Sequence, residues 1–446
     1  MGSSMSSFVR HVAITAAAIA LVAASAAAQL LPQVNVPVVG PVAVPNVPVA
    51  GPAIQNILQQ PGARQVISPT LNSVSGLPDG IAQSGPATLL DLRRLRLQEL
   101  IRSHRNQLES DGNGQPVARG RLVAIDPDIA SLQLAARAGF AVISDERHAE
   151  LGIRAVHMRV PRGLSAREAL RRLRTAAPRI EADFDHVLEP AGGALLPVAG
   201  ALAAANVGGG RKIGMIDGGV ASHPSLAGTT IEQNGFSGSP KPTGHGTAVA
   251  SLIVGNQGSF RGAARGSSLL VADIYGGSRA AGSATAAVRA LSWLAGHRPA
   301  VINISLVGPA NRLLARAINA VQARGIQVVA AVGNDGPAAP PQFPASYAGV
   351  VAVTGVDARG RALPEAGKAT HIDFAAPGAD MAAALPGEGY AKVRGTSFAA
   401  PLAAARLAMV GSPQALASEA RPGKGRVGRG IVCGDCRIEP RAVRAK

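Results

Sequence analysis

Lys212-Ile213-Gly214-Met215-Ile216-Asp217-Gly218-Gly219 is the stretch on which the fold turns. An uncharged run over 213–216, closed by a carboxylate and two glycines, reads as a buried parallel strand that delivers Asp217 to its carboxyl end. Downstream of it, apolar runs over 269–274, 301–304, 326–332 and 350–356 alternate with helix-like runs near 245–254, 283–297, 310–324 and 396–410. That alternation predicts an α/β fold, a parallel sheet covered by helices on both faces. In open sheets of this kind, reactive groups gather outside the carboxyl ends of the strands.

Three further strings carry such groups: Gly244-His245-Gly246-Thr247, Gly333-Asn334-Asp335-Gly336 and Gly395-Thr396-Ser397. Acyl transfer by a serine needs a hydroxyl nucleophile, an imidazole to take its proton, and a carboxylate to fix the imidazole tautomer. Ser397, His245 and Asp217 supply one part each. His245 opens an apolar helix that runs to Val254. Ser397 precedes an Ala- and Leu-rich run to Met409, so its hydroxyl is expected at a helix N-terminus, where developing negative charge is favoured. Asn334 turns away from the end of the 328–332 run and offers its amide to an oxyanion, with the backbone N–H of Ser397 as its partner.

On these motifs, residues 211–411 resemble the catalytic domain of the subtilisin-like serine peptidases, the subtilases, whose triad follows the chain order Asp, His, Ser. The resemblance implies a serine endopeptidase in which Asp217 orients, His245 is general base and acid, Ser397 is nucleophile and Asn334 is oxyanion donor. Val301 to Leu306 resembles the family strand that pairs with extended substrate. The resemblance also implies that Ser305, Leu306, Val307 and Gly308 line one wall of the pocket for the residue before the scissile bond, and that Ala330, Ala331, Val332 and Gly333 line the other. Ala375-Ala376-Pro377-Gly378 resembles a further family signature. Gly218, Ala248, Ser251 and Leu402 depart from the family's usual residues, which bears on packing and substrate fit. Val307 stands where Gly is common, so large aromatic residues are expected to be excluded and Ala or Val accepted. Members often bind calcium in a loop after the catalytic His. Here 255–262 is short and carries no acidic residue, so no metal is expected at that position. No cofactor is expected, and a structural calcium elsewhere stays open.

The rest of the 446 residues divides around this domain. Residues 1–28 read as an export signal: Arg10 and His11, then an apolar stretch over 12–24, short for a membrane span, then Ala26-Ala27-Ala28. Residues 29–86 repeat Pro, Val, Gly and Asn and read as an extended linker. Within 87–117 a helix capped by Thr88 is expected to reach about Glu109, with a stripe of Leu90, Leu97, Ile101 and Leu108 and with Arg93, Arg94, Arg96, Arg102 and Arg105 on other faces. Residues 118–190 read as β-α-β-β-α-β, a small α+β unit with the split ferredoxin-like pattern. By order and position it resembles the inhibitory prodomain of many subtilases. Residues 191–210 then form a processing linker, in which the Ala-rich stretch Ala201 to Ala205 offers sites for self-cleavage. The tail, 412–446, is basic and holds the only cysteines, Cys433 and Cys436. A local disulfide ranks ahead of a bystander or redox pair, and a metal site would need more ligands.

The formal charge of +17 raises nucleic-acid binding, but Arg is spread through every segment and aromatics are 3% of the chain, so no nucleic-acid partner is expected. Basic segments can instead cling to an anionic envelope or membrane surface. The expected partners are a protein or peptide substrate and the chain's own prodomain as inhibitor, in a secreted or periplasmic setting. The competing expectation is a silent relative that binds peptide or envelope partners without cutting.

Overall fold

A computed structural model describes residues 86–192, 194–198, 210–387 and 389–443. The export signal, the segment 29–85 and Ala201 to Ala205 lie outside the described residues. The N-terminal elements are α1 (Pro86–Ser103), β1 (Leu108–Ser110), β2 (Pro116–Ile125), α2 (Ile129–Arg137), β3 (Ala141–His148), β4 (Ile153–Arg159), α3 (Ala166–Ala176) and β5 (Glu181–His186). Four of the strands form an antiparallel sheet in the order β5-β2-β4-β3, with β1 added along the start of β2. This is the split pattern expected from the element order. Local signals start its helices: Asp128 accepts from the Ser131 N–H at 2.6 Å, and Ser165 and Glu168 close a capping box. Because successive strand side chains point to opposite faces, Leu122, Ala124, Val156 and Met158 pack under α2 and α3, while Val123, Ile125, Ile153 and Ala155 point the other way.

Helix α1 is shorter than its hydrophobic pattern predicts. It ends at Ser103, and Leu108 is the first residue of β1. Ser103 Oγ turns back to the carbonyls of Glu99 and Leu100, at 2.8 and 3.2 Å, and so caps the last turn. Of the expected stripe Leu97 and Leu108 are buried, but within α1 the buried face runs through Leu89, Arg93, Leu97 and Leu100.

The catalytic-like part begins with β6 (Glu189–Pro190), β7 (Ala194–Val198), β8 (Lys212–Asp217), β9 (Ile231–Gly235), α4 (Gly244–Val254), β10 (Asn256–Gln257), β11 (Phe260–Arg261) and β12 (Ser268–Asp273). It continues through α5 (Ala284–His297), β13 (Val301–Ile304), β14 (Leu306–Val307), α6 (Arg312–Ala323), β15 (Gln327–Ala331) and β16 (Val351–Val356). Then follow β17 (Phe374–Pro377), β18 (Met381–Ala384), β19 (Tyr390–Arg394), α7 (Thr396–Val410) and α8 (Pro413–Ser418). Seven strands form a fully parallel sheet in the order β17-β16-β15-β13-β8-β12-β9. Alternation again divides the side chains. Ile213, Met215, Val329 and Val353 face α4 and α7, and Ile216, Ile302, Val328 and Ala352 face α5 and α6. The second face of the N-terminal sheet joins this latter core. The chain steps out from β8 to β9 and β12 and then back to β13, so the order reverses at β8, and the crevice opens outside its carboxyl end, at Asp217.

One sequence expectation changes here. Residues 412–443 are not a free tail: Val432, Ile438 and Val443 are buried in the core under α7, and Ile431 bridges to Ala375 and Arg421. Cys433 and Cys436 are joined in a disulfide within that packed segment. The 255–262 loop is the β10–β11 hairpin. Among the described residues no helix is long and apolar enough to cross a membrane, and no three His, Cys, Asp or Glu side chains converge to hold a metal.

Candidate active site

Asp217 ends β8 almost fully buried, and one carboxylate oxygen accepts the Gly218 N–H at 2.7 Å. Both of its oxygens stand 2.9 Å from Nδ1 of His245, which lies in the first turn of α4. Thr243 starts that helix by accepting the Gly246 N–H at 2.9 Å. The approach of helix to strand is too close for side chains: a Cβ at Gly246 would lie 2.3 Å from the Gly218 carbonyl oxygen, and one at Gly218 would lie 2.5 Å from Thr243 Oγ1. Here the threonine of the helix cap fills the space at Gly218 that a larger residue would need. With Nδ1–H donating to Asp217, Nε2 carries the lone pair of His245, and Nε2 is buried with no hydrogen-bond partner among the described residues.

Ser397 sits in the first turn of α7, buried, and its carbonyl accepts from Ser305 Oγ at 2.9 Å, which in turn accepts from Asn303 Nδ2 at 3.0 Å. Asn334 follows β15. Its Oδ1 accepts the Thr396 N–H at 3.0 Å, which orients the amide so that Nδ2 points into the crevice. The positive φ of Gly333, with Thr396 Oγ1 donating to its carbonyl at 3.1 Å, sets this turn.

The crevice is filled by the chain itself. Glu189 and Pro190 pair antiparallel with Val307 and Leu306, the Leu188 N–H donates to Gly282 O at 2.7 Å, and the Ala191 N–H donates to Ser305 O at 2.9 Å. The carbonyl of Gly192 then receives Asn334 Nδ2 at 3.0 Å together with the Ser397 hydroxyl, and Asn334 Nδ2 also reaches Ala191 O. Beyond it, β7 lies antiparallel on β19, so the chain is held as a strand on both sides of residue 192. Gly192 has φ +78°, and a Cβ there would stand 3.1 Å from Asn334 Nδ2, so glycine suits the position on both counts.

The sequence-derived pocket is gathered only in part. Leu306 and Val307 flank the bound segment, and the Val307 side chain lies 3.4 Å from where a Gly333 Cβ would be. Gly308 instead exchanges hydrogen bonds with Phe343, at 2.8 and 3.0 Å. Ala330 and Val332 pack into the core under α5 and α6, and Ala331 into the opposite core, because residues within a parallel strand feed the two covered faces. Of that wall only Gly333, past the strand end, is free of the two cores.

Sequence reading missed the acidic and basic groups around the crevice. Glu189 lies between Arg279 Nη2, at 2.8 Å, and Arg96 Nε, at 3.4 Å. Asp335, next to Asn334, receives Arg93 at 3.0 Å and Arg96 at 2.9 Å. Burial works against the charge on Arg96, but the carboxylates of Asp335 and Glu189 outweigh it and raise the guanidinium pKa above its ordinary value. Two of the arginines expected on a solvated or membrane-facing side of α1 are therefore turned inward. Their spacing, three apart within the helix, was the available signal. Burial first, then the charge of Asp217, pushes the Tyr275 hydroxyl well up, so it stays a neutral donor to Leu188 O at 3.0 Å.

Residues 208–420 match the Subtilase family. The chain is 33% identical over 208 residues to subtilisin Savinase of Lederbergia lenta, which covers 46% of this chain and 77% of that protein. It is 33% identical over 223 residues to thermitase of Thermoactinomyces vulgaris, covering 48% of this chain and 79% of that one. The solved structure of fervidolysin from Fervidobacterium pennivorans, described as a keratinolytic enzyme related to subtilisin, superimposes with a TM-score of 0.60 at 17% identity, over 73% of this chain and 61% of that chain. That likeness is one of fold.

Proposed function

We propose that this chain, which belongs to the subtilase family and is a subtilisin-like serine endopeptidase, is exported as a zymogen that cuts its own Gly192-Gly193 bond before it acts on other peptides. The carbonyl of Gly192, engaged at once by Asn334 Nδ2 and the Ser397 hydroxyl in a strand-held segment, is the observation that supports this reading best.

Reaction requires the Ser397 hydroxyl to turn from that oxygen to His245 Nε2. Oγ then attacks the Gly192 carbonyl carbon while Nε2 takes the proton, and Asp217 stabilises the imidazolium. The oxygen of the tetrahedral intermediate draws on Asn334 Nδ2 and the Ser397 N–H at the start of α7. Collapse breaks the bond to the Gly193 nitrogen, which leaves with the proton from His245, and water then releases the acyl group from Ser397. No cofactor takes part in the proposed steps. A bound segment ending in glycine, with Val307 beside Gly333, supports a preference for small residues before the cut. The N-terminal unit is the inhibitor: its sheet docks on α5 and α6, and α1 ties down Asp335. The basic and apolar start of the sequence supports export.

The unpartnered Nε2 of His245 equally suits a silent relative whose crevice stays plugged by 189–192. A fluorophosphonate probe separates the two. We expect labelling of Ser397 in the processed protein and none in the intact chain; processed protein that stays unlabelled supports the silent relative.

A further inference from the structure

We propose that Arg279 makes the processed enzyme select a carboxylate side chain at the fourth residue before the bond it cuts. The inference rests on the reading of 189–192 as a bound substrate.

Counting back from Gly192, the fourth residue is Glu189. Its backbone is fixed on either side: Leu188 by Gly282 O and the Tyr275 hydroxyl, Glu189 by its pairing with Val307, and Ala191 by Ser305 O. All of these contacts come from the catalytic part and recur with any extended peptide laid in the same crevice. They hold the fourth side chain against the turn Arg279–Ala281. There Glu189 is 5% exposed, and Arg279 Nη2 meets its Oε1 at 2.8 Å.

The second guanidinium on Glu189 belongs to α1, so it departs with the cleaved N-terminal unit, as does Glu189 itself. Arg279 remains. A guanidinium facing a carboxylate forms a charge-assisted hydrogen bond, stronger than a neutral one. An apolar side chain at that place offers the guanidinium no charge to meet, and a lysine would set like charges together. The site therefore discriminates by loss as well as by gain. The chain's own Glu189 satisfies the same rule, which makes it a good first substrate and, once cut, a retained inhibitor.

The test uses the processed enzyme obtained by expressing the full chain, with internally quenched peptides of the core Xaa-Pro-Ala-Gly-Gly, where Xaa is Glu, Gln, Leu or Lys. We expect kcat/KM for Glu to exceed that for Leu and Lys by about 10-fold or more, carried mainly in KM, as for a hydrogen bond to a charged group. Arg279→Ala should level the series, Arg279→Lys should keep the order with a smaller spread, and Arg279→Glu should shift the preference to Lys. Equal cleavage of Glu and Leu peptides by the parent enzyme, or a Glu preference that survives Arg279→Ala, overturns the inference while leaving the protease intact. Parent enzyme that cleaves none of the peptides and takes no phosphonate at Ser397 overturns both the inference and the reading beneath it.

Discussion

The sheet around β8 keeps both of its faces under its own helices, α4 and α7 on one side and α5 and α6 on the other. The N-terminal sheet covers only the face of Leu122 and Met158 with its own helices and lends Val123, Ile125, Ile153 and Ala155 to the core beneath α5 and α6. One sheet is complete in itself and the other is finished by its neighbour. Since apolar burial contributes about 25 cal/mol per Å², the N-terminal unit gains its second hydrophobic face only while docked. Such a unit can hold a cleaved product in the crevice, yet it is removable.

Ser397→Ala probes the complete half. Turnover should fall by roughly 10,000-fold or more, and the N-terminal unit should stay covalently attached. Normal trimming of that variant in a protease-free expression system would mean that the cut does not depend on Ser397. Asn334→Ala should lower kcat on a peptide by about 100- to 1,000-fold with KM little changed, since its amide serves the oxyanion. Comparable losses in both constants would mean instead that the Thr396 contact at 3.0 Å holds the fold of the site.

Ile125→Ala probes the dependent half. Truncating a buried Ile costs about 2–5 kcal/mol, here at the seam between the two units. Release of the cleaved unit, read as the lag before activity appears, should speed up about 10-fold or more. An unchanged lag would mean that the seam contributes nothing to retention.

The same seam carries a pH dependence. His148 and His157 on β3 and β4 are buried, facing Glu146, Asp185, Arg121 and Arg289. Burial lowers the pKa of both, against the raising effect of Glu146 on each and of Asp185 on His157. A histidine whose pKa is lowered in the folded state stabilises it fully above the unfolded value of 6.5 and progressively less as pH falls below it. The cleaved unit should therefore leave several-fold faster at pH 5 than at pH 7.5, and His157→Asn should flatten the profile. A rate that rises with pH would contradict this.

Much of the catalytic half is legible in the sequence because its chemistry is local. β8, β12, β13, β15 and β16 are apolar runs, the helices α4, α5 and α6 start at side-chain caps, and each reactive residue sits in a short string at a strand end or helix start. β9 escaped because it is a partly exposed edge strand, Ile-Glu-Gln-Asn-Gly, with little apolar pattern. β18 and β19 are short and Ala-rich, without a turn signal to separate them. The role of α1 was hidden because the partner of Arg93 and Arg96, Asp335, lies 242 and 239 residues away. Nothing in Glu189-Pro190-Ala191-Gly192 marks it as crevice-bound; only the pairing with β14 and β19 around it does.

That the chain is its own first substrate at Gly192 can be read from the N-terminal sequence and intact mass of the processed protein. The mature chain should begin at Gly193, obtained with active Ser397 and absent with Ser397→Ala. A mature start within 201–205, or the same start from the Ser397→Ala chain, would contradict it.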